Sequence, residues 1–332
     1  MIQHLKYFFI TVLTFFLCAT LSFSAVYELP PLENNIIGSI KTIKAEHKDT
    51  LLDIARRHGL GFEDIVKANP NLDIWIPGKD SDVLLPTKYI LPNVRREGLV
   101  LNLAEYRMYY FPAPKKNEKP IVITYPISIG RMDWDTPLGE TRITAKAKNP
   151  SWYPPESIRA EHEAEGDFLP RIVPPGPDNP LGEYAMRLDI PGYLIHGTNR
   201  PAGVGMRVTH GCIRMYPEDI FFLYNELKVG TPVRIINEPI KLGWDERKLF
   251  LEVHSSLDSK REVNKSFLYE NDNLPKKHNL TILTEKIIAV TKESNRDAID
   301  WQMAETILVD PSGIPVIIGS KHPKVMQGRA FK

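Results

Sequence analysis

The sequence predicts a mostly β domain of many short strands with one prominent helix, behind a small strand–helix–helix–strand module. Three observations lead there. Between residues 97 and 237, short runs rich in Val, Ile, Tyr and Phe recur between turn residues. The chain has 28 prolines, concentrated around Pro150 to Pro191, which favours long ordered loops over a helical bundle. Ahead of that stretch, residues 40–87 carry two short helical patterns framed by two strand patterns.

Taken in order, the chain opens with Lys6 and an almost unbroken apolar run from Tyr7 to Phe23. Small residues at Ser22 and Ser24 sit at cleavage spacing, so residues 1–24 read as a secretory signal cut after Ser24, with a retained anchor as the alternative. In the 40–87 module, Ile40 to Ala45 reads as a strand. Leu51, Ile54 and Ala55 have helical spacing up to Gly59. A second helix from Phe62 stops at Pro70, and Val83 to Pro86 returns as a strand.

The 97–237 domain begins with a hairpin, residues 98–103 and 106–111, around a tight Ala104-Glu105 connection. Further strands are expected at 121–129, 140–146, 183–188 and 193–196, and Thr231 to Ile236 is expected to close the sheet. Pro217 to Lys228 is the helix: proline and acids open it and Gly230 follows its end. Residues 238–332 form a C-terminal extension, read as a linker over 255–277 and as weakly helical over 294–308.

Removing residues 1–24 takes away Lys6 and no acid, which leaves 41 basic against 41 acidic residues. That balance and the lack of a basic stripe argue against a nucleic-acid partner. It also removes Cys18, so Cys212 stands alone and cannot form an internal disulfide.

Cys212 lies in Thr209-His210-Gly211-Cys212-Ile213-Arg214, sixteen residues after His196. A free thiol is only a few per cent ionised at neutral pH, so a cysteine nucleophile needs a base, and its oxyanion needs backbone N–H donors. We read Cys212 as nucleophile and His196, at the end of a strand, as its base. Gly211 and Cys212 offer the oxyanion donors. Arg214 either supports the loop or holds a substrate carboxylate through its fork. His210 is a rival base, since residues two apart on an extended segment point the same way. A zinc site of His196, His210 and Cys212 is a second alternative. The proline-rich segment from Asn149 to Asp189 is expected to cover the donor site and exclude water, unless it merely packs the sheet.

Two resemblances follow from these residues. Asp49-Thr50-Leu51, Ile54-Ala55, Ile65, Lys67-Ala68-Asn69-Pro70 and Val83-Leu84-Leu85-Pro86 resemble a LysM module, with Ile40 to Ile43 replacing the usual opening. His196-Gly197-Thr198, Gly203-Val204-Gly205 and Thr209 to Pro217 closely resemble the YkuD-type L,D-transpeptidases, with Pro126 to Gly130 and Thr136 to Gly139 also matching. Thr209 stands where many members carry serine, and Arg214 fits the periplasmic Gram-negative branch. The resemblance implies a β-sandwich or barrel-like catalytic sheet over 97–237, with one helix after the nucleophile loop, and a βααβ LysM module over 40–87.

It also implies a reaction. Cys212 would attack the third-residue carbonyl of a peptidoglycan tetrapeptide stem and release D-alanine. The thioester would pass to an amine, either the C-terminal lysine of an outer-membrane lipoprotein or diaminopimelate of another stem. The Gly197 carbonyl would orient His196, while Thr209, Gly211, Cys212 and Arg214 would line the oxyanion and substrate side. LysM modules bind N-acetylglucosamine glycans, so the wall itself is the expected partner, in the periplasm. No metal or organic cofactor is needed, and carbapenems are expected to acylate Cys212. Two alternatives are a hydrolase that passes the acyl group to water and a glycan-binding wall protein with a silent catalytic domain.

Overall fold

The structure is a computed structural model that describes residues 25–131, 134–255, 257, 274–291 and 298–321. The signal segment 1–24 lies outside the described residues, as does most of the linker expected over 255–277.

After β1 (Ala25–Glu28), the N-terminal module runs β2 (Ile36–Lys44), α1 (Leu51–Arg57), α2 (Phe62–Ala68) and β3 (Asp82–Ile90). Helix α1 starts at a reciprocal cap. Thr50 Oγ1 accepts from the Asp53 N–H at 3.0 Å, and Asp53 Oδ2 accepts from the Thr50 N–H at 3.1 Å. Such caps contribute about 1 kcal/mol. At the end of α2, Asn69 is buried: its Nδ2 donates to the Ile65 and Leu84 carbonyls and its Oδ1 accepts from the Leu84 N–H. Pro70 then prevents another helical turn.

The main domain contributes β4 (Gly98–Asn102), β5 (Arg107–Phe111), β6 (Ile121–Pro126), β7 (Ile129–Gly130), β8 (Gly139–Lys148) and α3 (Glu156–Ala164). Then come β9 (Tyr184–Leu188), β10 (Leu194–His196), β11 (Arg207–Thr209), β12 (Ile213–Arg214), α4 (Pro217–Glu226) and β13 (Pro232–Ile236). The nine-stranded sheet has the order β1-β6-β5-β4-β13-β8-β9-β10-β12. Strand β13 does not close it, as the sequence suggested, but lies in the middle, parallel to β4 and antiparallel to β8. Strand β8 carries a register shift between Ile143 and Ala145, the kind of irregularity that bends a sheet. The far end curls back until Arg214 on β12 exchanges two backbone hydrogen bonds with Ser128, which follows β6.

The central strands are buried on both faces. Leu99, Leu101, Met108, Tyr110, Ile123 and Tyr125 enter the main core, which also takes Ile220 and Leu223 of α4. The alternate residues Val100, Tyr109, Phe111 and Val122 pack with Leu51, Ile54, Leu60, Ile65 and Leu85 of the N-terminal module. A pleated strand presents successive side chains to opposite faces, so one strand serves two cores. The module read from sequence as separate therefore shares its core with the main sheet. Polar ties reinforce the joint: Arg107 Nη2 to Asp64 Oδ2 at 2.5 Å, Arg56 to both Glu218 oxygens at 2.8 and 2.7 Å, and the Phe62 N–H to the Val204 carbonyl at 2.9 Å.

The C-terminal extension is a further folded unit. The strands β14 (Ile240–Asp245), β15 (Lys248–Val253), β16 (Ala298–Ile299) and β17 (Val316–Ser320) form a sheet in the order β14-β15-β17-β16. Helices α5 (Leu274–Thr291) and α6 (Trp301–Val309) accompany it. Its core holds Trp244, Leu249, Leu251, Leu283, Ile287, Ala304 and Ile307. Two readings are corrected here. Residues 274–277, taken as linker, open α5. Ile299, taken as helical, lies in β16, because the Asp300 carboxylate caps α6 by accepting from the Met303 N–H at 2.9 Å.

Where the three units meet, Lys241 of β14 is buried without water access. Its Nζ lies 2.6 Å from Glu105 Oε2, 2.7 Å from Glu252 Oε1 and 2.7 Å from the Ile90 carbonyl. Tyr109 Oη donates to Glu105 Oε2 at 2.8 Å, and His254 Nε2 lies 2.7 Å from Glu252 Oε1. Burial works against each charge. The attraction between the ammonium and the two carboxylates outweighs it, holding Lys241 above and Glu252 below their ordinary ranges.

Candidate active site

Strands β10 and β12 run parallel, with Ile195 opposite Ile213 and His196 opposite Arg214. Residues in parallel register share a face, as do residues two apart on one strand. Ile195 and Ile213 are fully buried in the core, so His196, Arg214 and, just before the strand, Cys212 belong to the other face. The register therefore puts Cys212 and His196 on one face of the paired strands.

The nucleophile loop turns at Gly211, whose φ is +98°. This left-handed geometry favours glycine. A side chain there would also start only 2.8 Å from the Tyr193 ring. Thr209 Oγ1 donates to the Cys212 carbonyl at 2.6 Å, and Thr136 Oγ1 donates to the Gly211 carbonyl at 2.8 Å. Among the described residues, neither the Gly211 nor the Cys212 N–H has an acceptor. Two adjacent free donors beside a thiol are what an oxyanion site requires.

His196 is buried, and its Nδ1 lies 2.7 Å from the Gly197 carbonyl. A carbonyl only accepts, so Nδ1 carries the proton and Nε2 keeps the lone pair needed for base catalysis. Burial and the charge of Arg214 press the imidazole down to about 4, against weaker support from the Gly197 and Leu181 carbonyls. Burial pushes the Cys212 thiol up, partly offset by the Leu194 backbone and Arg214. The thiol hydrogen bonds weakly with the Gly192 carbonyl at 3.6 Å. At neutral pH the resting pair is therefore a neutral thiol and a neutral imidazole, not a thiolate–imidazolium ion pair.

The buried imidazole makes stability depend on pH. The unfolded chain takes up this proton near pH 6.5, the folded one only near 4, so stability falls as pH drops between those values. A shift of that size corresponds to roughly 3 kcal/mol. His196→Gln is expected to flatten this part of the profile when urea midpoints are measured from pH 7 to pH 4. An unchanged slope in the variant would refute the assignment.

His210 is not positioned as the rival base. The turn at Gly211 breaks the extended geometry on which that reading relied. The His210 ring stacks edge-on against Trp134 at 5.3 Å, with Nε2 3.3 Å from Glu161 Oε2. Glu161 also forms a close ion pair with Arg131. The zinc alternative fails on the same geometry. Among the described residues the histidine, cysteine and acid side chains close enough to share an ion are Glu105, Glu252 and His254, and there the Lys241 ammonium already lies against both carboxylates.

The proline-rich segment is ordered around Asn179, fully buried, whose Nδ2 donates to the Pro150 carbonyl at 2.8 Å and whose Oδ1 accepts from the Leu181 N–H at 2.9 Å. It touches the site twice, through the Leu181 carbonyl at His196 and through Glu161 of α3 at His210. Sequence reasoning missed Thr136, Leu181, Tyr193 and Glu161 as site residues. Thr136 stood in a recognised motif, but its partner is 75 residues away, which no local pattern reveals.

The family model described as the L,D-transpeptidase catalytic domain, YkuD, matches residues 96–235. The chain is 42% identical over 240 residues to "Probable L,D-transpeptidase YcfS" of Escherichia coli K12, covering 70% of this chain and 74% of that protein. It is 36% identical over 306 residues to "Probable L,D-transpeptidase ErfK/SrfK" of Salmonella typhimurium, covering 91% and 94%. Among solved structures, the NMR structure of the catalytic domain from the E. faecium L,D-transpeptidase is 21% identical. It covers 44% of this chain and 100% of that chain, with a TM-score of 0.32.

Proposed function

The chain belongs to the L,D-transpeptidase family, and from that premise we propose that it acts on peptidoglycan stems with Cys212 as nucleophile and His196 as base. The observation that carries this reading is the shared face of Cys212 and His196 beside two unpartnered N–H groups. As Cys212 Sγ attacks the third-residue carbonyl of a tetrapeptide stem, its proton passes to His196 Nε2. The N–H groups of Gly211 and Cys212 receive the oxyanion. When the C–N bond breaks, His196 returns the proton to the departing D-alanine amine. An acceptor amine then attacks the thioester and gives His196 a proton, which reprotonates the leaving thiolate.

The Gly197 carbonyl orients the base, and Thr209 acts by holding the loop. The segment 149–189, anchored at Leu181 and Glu161, covers the donor and keeps water from the thioester. The βααβ order of the N-terminal module and its buried Asn69 support a LysM reading, with binding to wall glycan. An exported protein retained in the periplasm is the setting this chemistry requires. The acceptor is either a lipoprotein C-terminal lysine or a neighbouring diaminopimelate.

Intact-protein mass spectrometry with a disaccharide-tetrapeptide is the test, with and without a peptide ending in lysine. A stem-sized adduct on the wild type that clears onto an amine is the expected result. Clearance onto the lysine peptide identifies lipoprotein anchoring, and clearance onto a second stem identifies cross-linking. Clearance only to water would replace transfer with hydrolysis, and no adduct with any stem would overturn the assignment of Cys212.

A further inference from the structure

Arg214 stands out among the arginines of this structure. Arg56 pairs with Glu218, Arg107 with Asp64 and Arg207 with Asp135. Arg214 has no carboxylate partner among the described residues, and its Nε is buried without a hydrogen-bond acceptor. Arg214 itself is half-buried, and a guanidinium partly withdrawn from water without a counter-charge is unfavourable. The like charge of Arg200 adds to the cost of burial, and Cys212, whose thiol rests neutral, offsets it only weakly.

The backbone of both arginines is held in place. Arg214 is fixed on β12 by the paired bonds to Ser128. Arg200 opens the tight turn Pro201–Gly203. Its N–H donates to Thr198 Oγ1 at 2.9 Å and its carbonyl accepts from the Gly203 N–H at 3.3 Å. The Arg200 residue itself is exposed. At Gly203 a side chain would begin 3.7 Å from Arg214 Nη1, and glycine leaves that volume free. Cys212 and Arg214 share a face two residues apart, about 7 Å along the strand.

We propose that Arg200 and Arg214 form a two-arginine clamp that binds a substrate carboxylate next to the scissile bond. The clamp rests on the peptidoglycan reading above and deepens it. A planar, two-oxygen anion matches the guanidinium fork. It also supplies the missing counter-charge, so an enzyme poised this way prefers a donor with a free acid to the same donor as a neutral amide. Two carboxylates of a tetrapeptide stem lie within reach: that of the leaving terminal residue, three bonds from the reacting carbonyl carbon, and that on the side chain of the diaminopimelate under attack.

The experiment measures dissociation constants by calorimetry on the Cys212→Ala protein, where no turnover interferes. Three ligands are compared: the disaccharide-tetrapeptide, its C-terminal amide and its diaminopimelate side-chain amide. Amidating the recognised carboxylate is expected to weaken binding at least tenfold, and the amide that does so identifies the source. Adding Arg200→Gln, an exposed position, is expected to weaken the free acid by a similar factor while bringing acid and amide together. Arg214→Lys, which keeps the charge but loses the fork, is expected to do the same in smaller measure. Equal binding of all three ligands, no binding of any, or an acid preference undiminished in Arg200→Gln would overturn the clamp. Wild-type acylation is read separately. Acid-selective binding without acylation would retain the clamp and remove the transferase reading.

Discussion

Cys212→Ala abolishes acyl-enzyme formation, and His196→Ala slows it by about 10²–10⁴-fold, the usual worth of a positioned general base. The two losses differ because the thiol is chemically irreplaceable, whereas the base only removes a proton that hydroxide can also take. The electrostatics add a pH signature. Burial holds Cys212 above the ordinary thiol range, and His196, near 4, is neutral across the physiological range. Alkylation of the substrate-free enzyme by iodoacetamide is therefore expected to rise through a midpoint above that of a free thiol. Arg214 pulls in the opposite direction, so Arg214→Met is expected to move the midpoint higher still. A fast plateau near pH 5–6 would mean a resting thiolate, and the neutral-pair description would be wrong. Acylation itself can outpace this simple titration, because the substrate brings its own carbonyl to the N–H donors and the proton moves only as the bond forms.

Lys241→Ala lowers stability by about 3–5 kcal/mol, the typical cost of removing one partner from a buried ion pair. The variant leaves Glu105 and Glu252 buried near one another without the cation that lay 2.6 and 2.7 Å away. The loss is expected in urea unfolding at pH 7 as a lowered midpoint. Its pH dependence follows from the shifts. The folded-state carboxyl of Glu252 is depressed by Lys241, so this contribution is present above the unfolded carboxyl range and is lost as pH falls through the folded value. Lys241, raised in the folded state, contributes below its own unfolded range and loses that contribution only in alkali. Wild type and variant are therefore expected to differ most between pH 6 and 9 and to converge in acid. Lys241→Met, which keeps the apolar stem, is expected to fall between them. A difference below 1 kcal/mol at pH 7 would show that the carboxylates find other partners.

Glu105 and Tyr109 belong to the hairpin that carries two cores, Ile90 ends the N-terminal module, and Lys241 and Glu252 lie on the first two strands of the C-terminal sheet. The same N-terminal module reaches the loop between His196 and Cys212, through the Phe62 N–H on Val204 and Gly61 against Gly205. The glycan-binding unit proposed here is thus built against the turn that carries Arg200, not hung on a linker.

Local chemistry determined a large part of this molecule from the sequence alone. Strand alternation, the proline at the start of α4 and the Thr50–Asp53 cap set elements that need only near neighbours. Gly211 before Cys212 declares a tight nucleophile turn because few other residues accept its backbone angle. His196 and Cys212 could be paired because the chemistry of a thiol demands a base. Tertiary structure alone decided the rest. The shared face of His196 and Cys212 depended on a parallel register set by Ile195 and Ile213 in the core. The central place of β13 and the Lys241 junction depended on contacts across 100 residues or more of chain, and the shared core of the N-terminal module on packing between separate elements of residues 37 to 122. Arg214 reads from its motif as a useful cation. That no carboxylate among the described residues pairs with it, while Arg200 adds a like charge, follows only from what the fold packs around it, because the charge balance of a site is set by neighbours in space rather than in sequence.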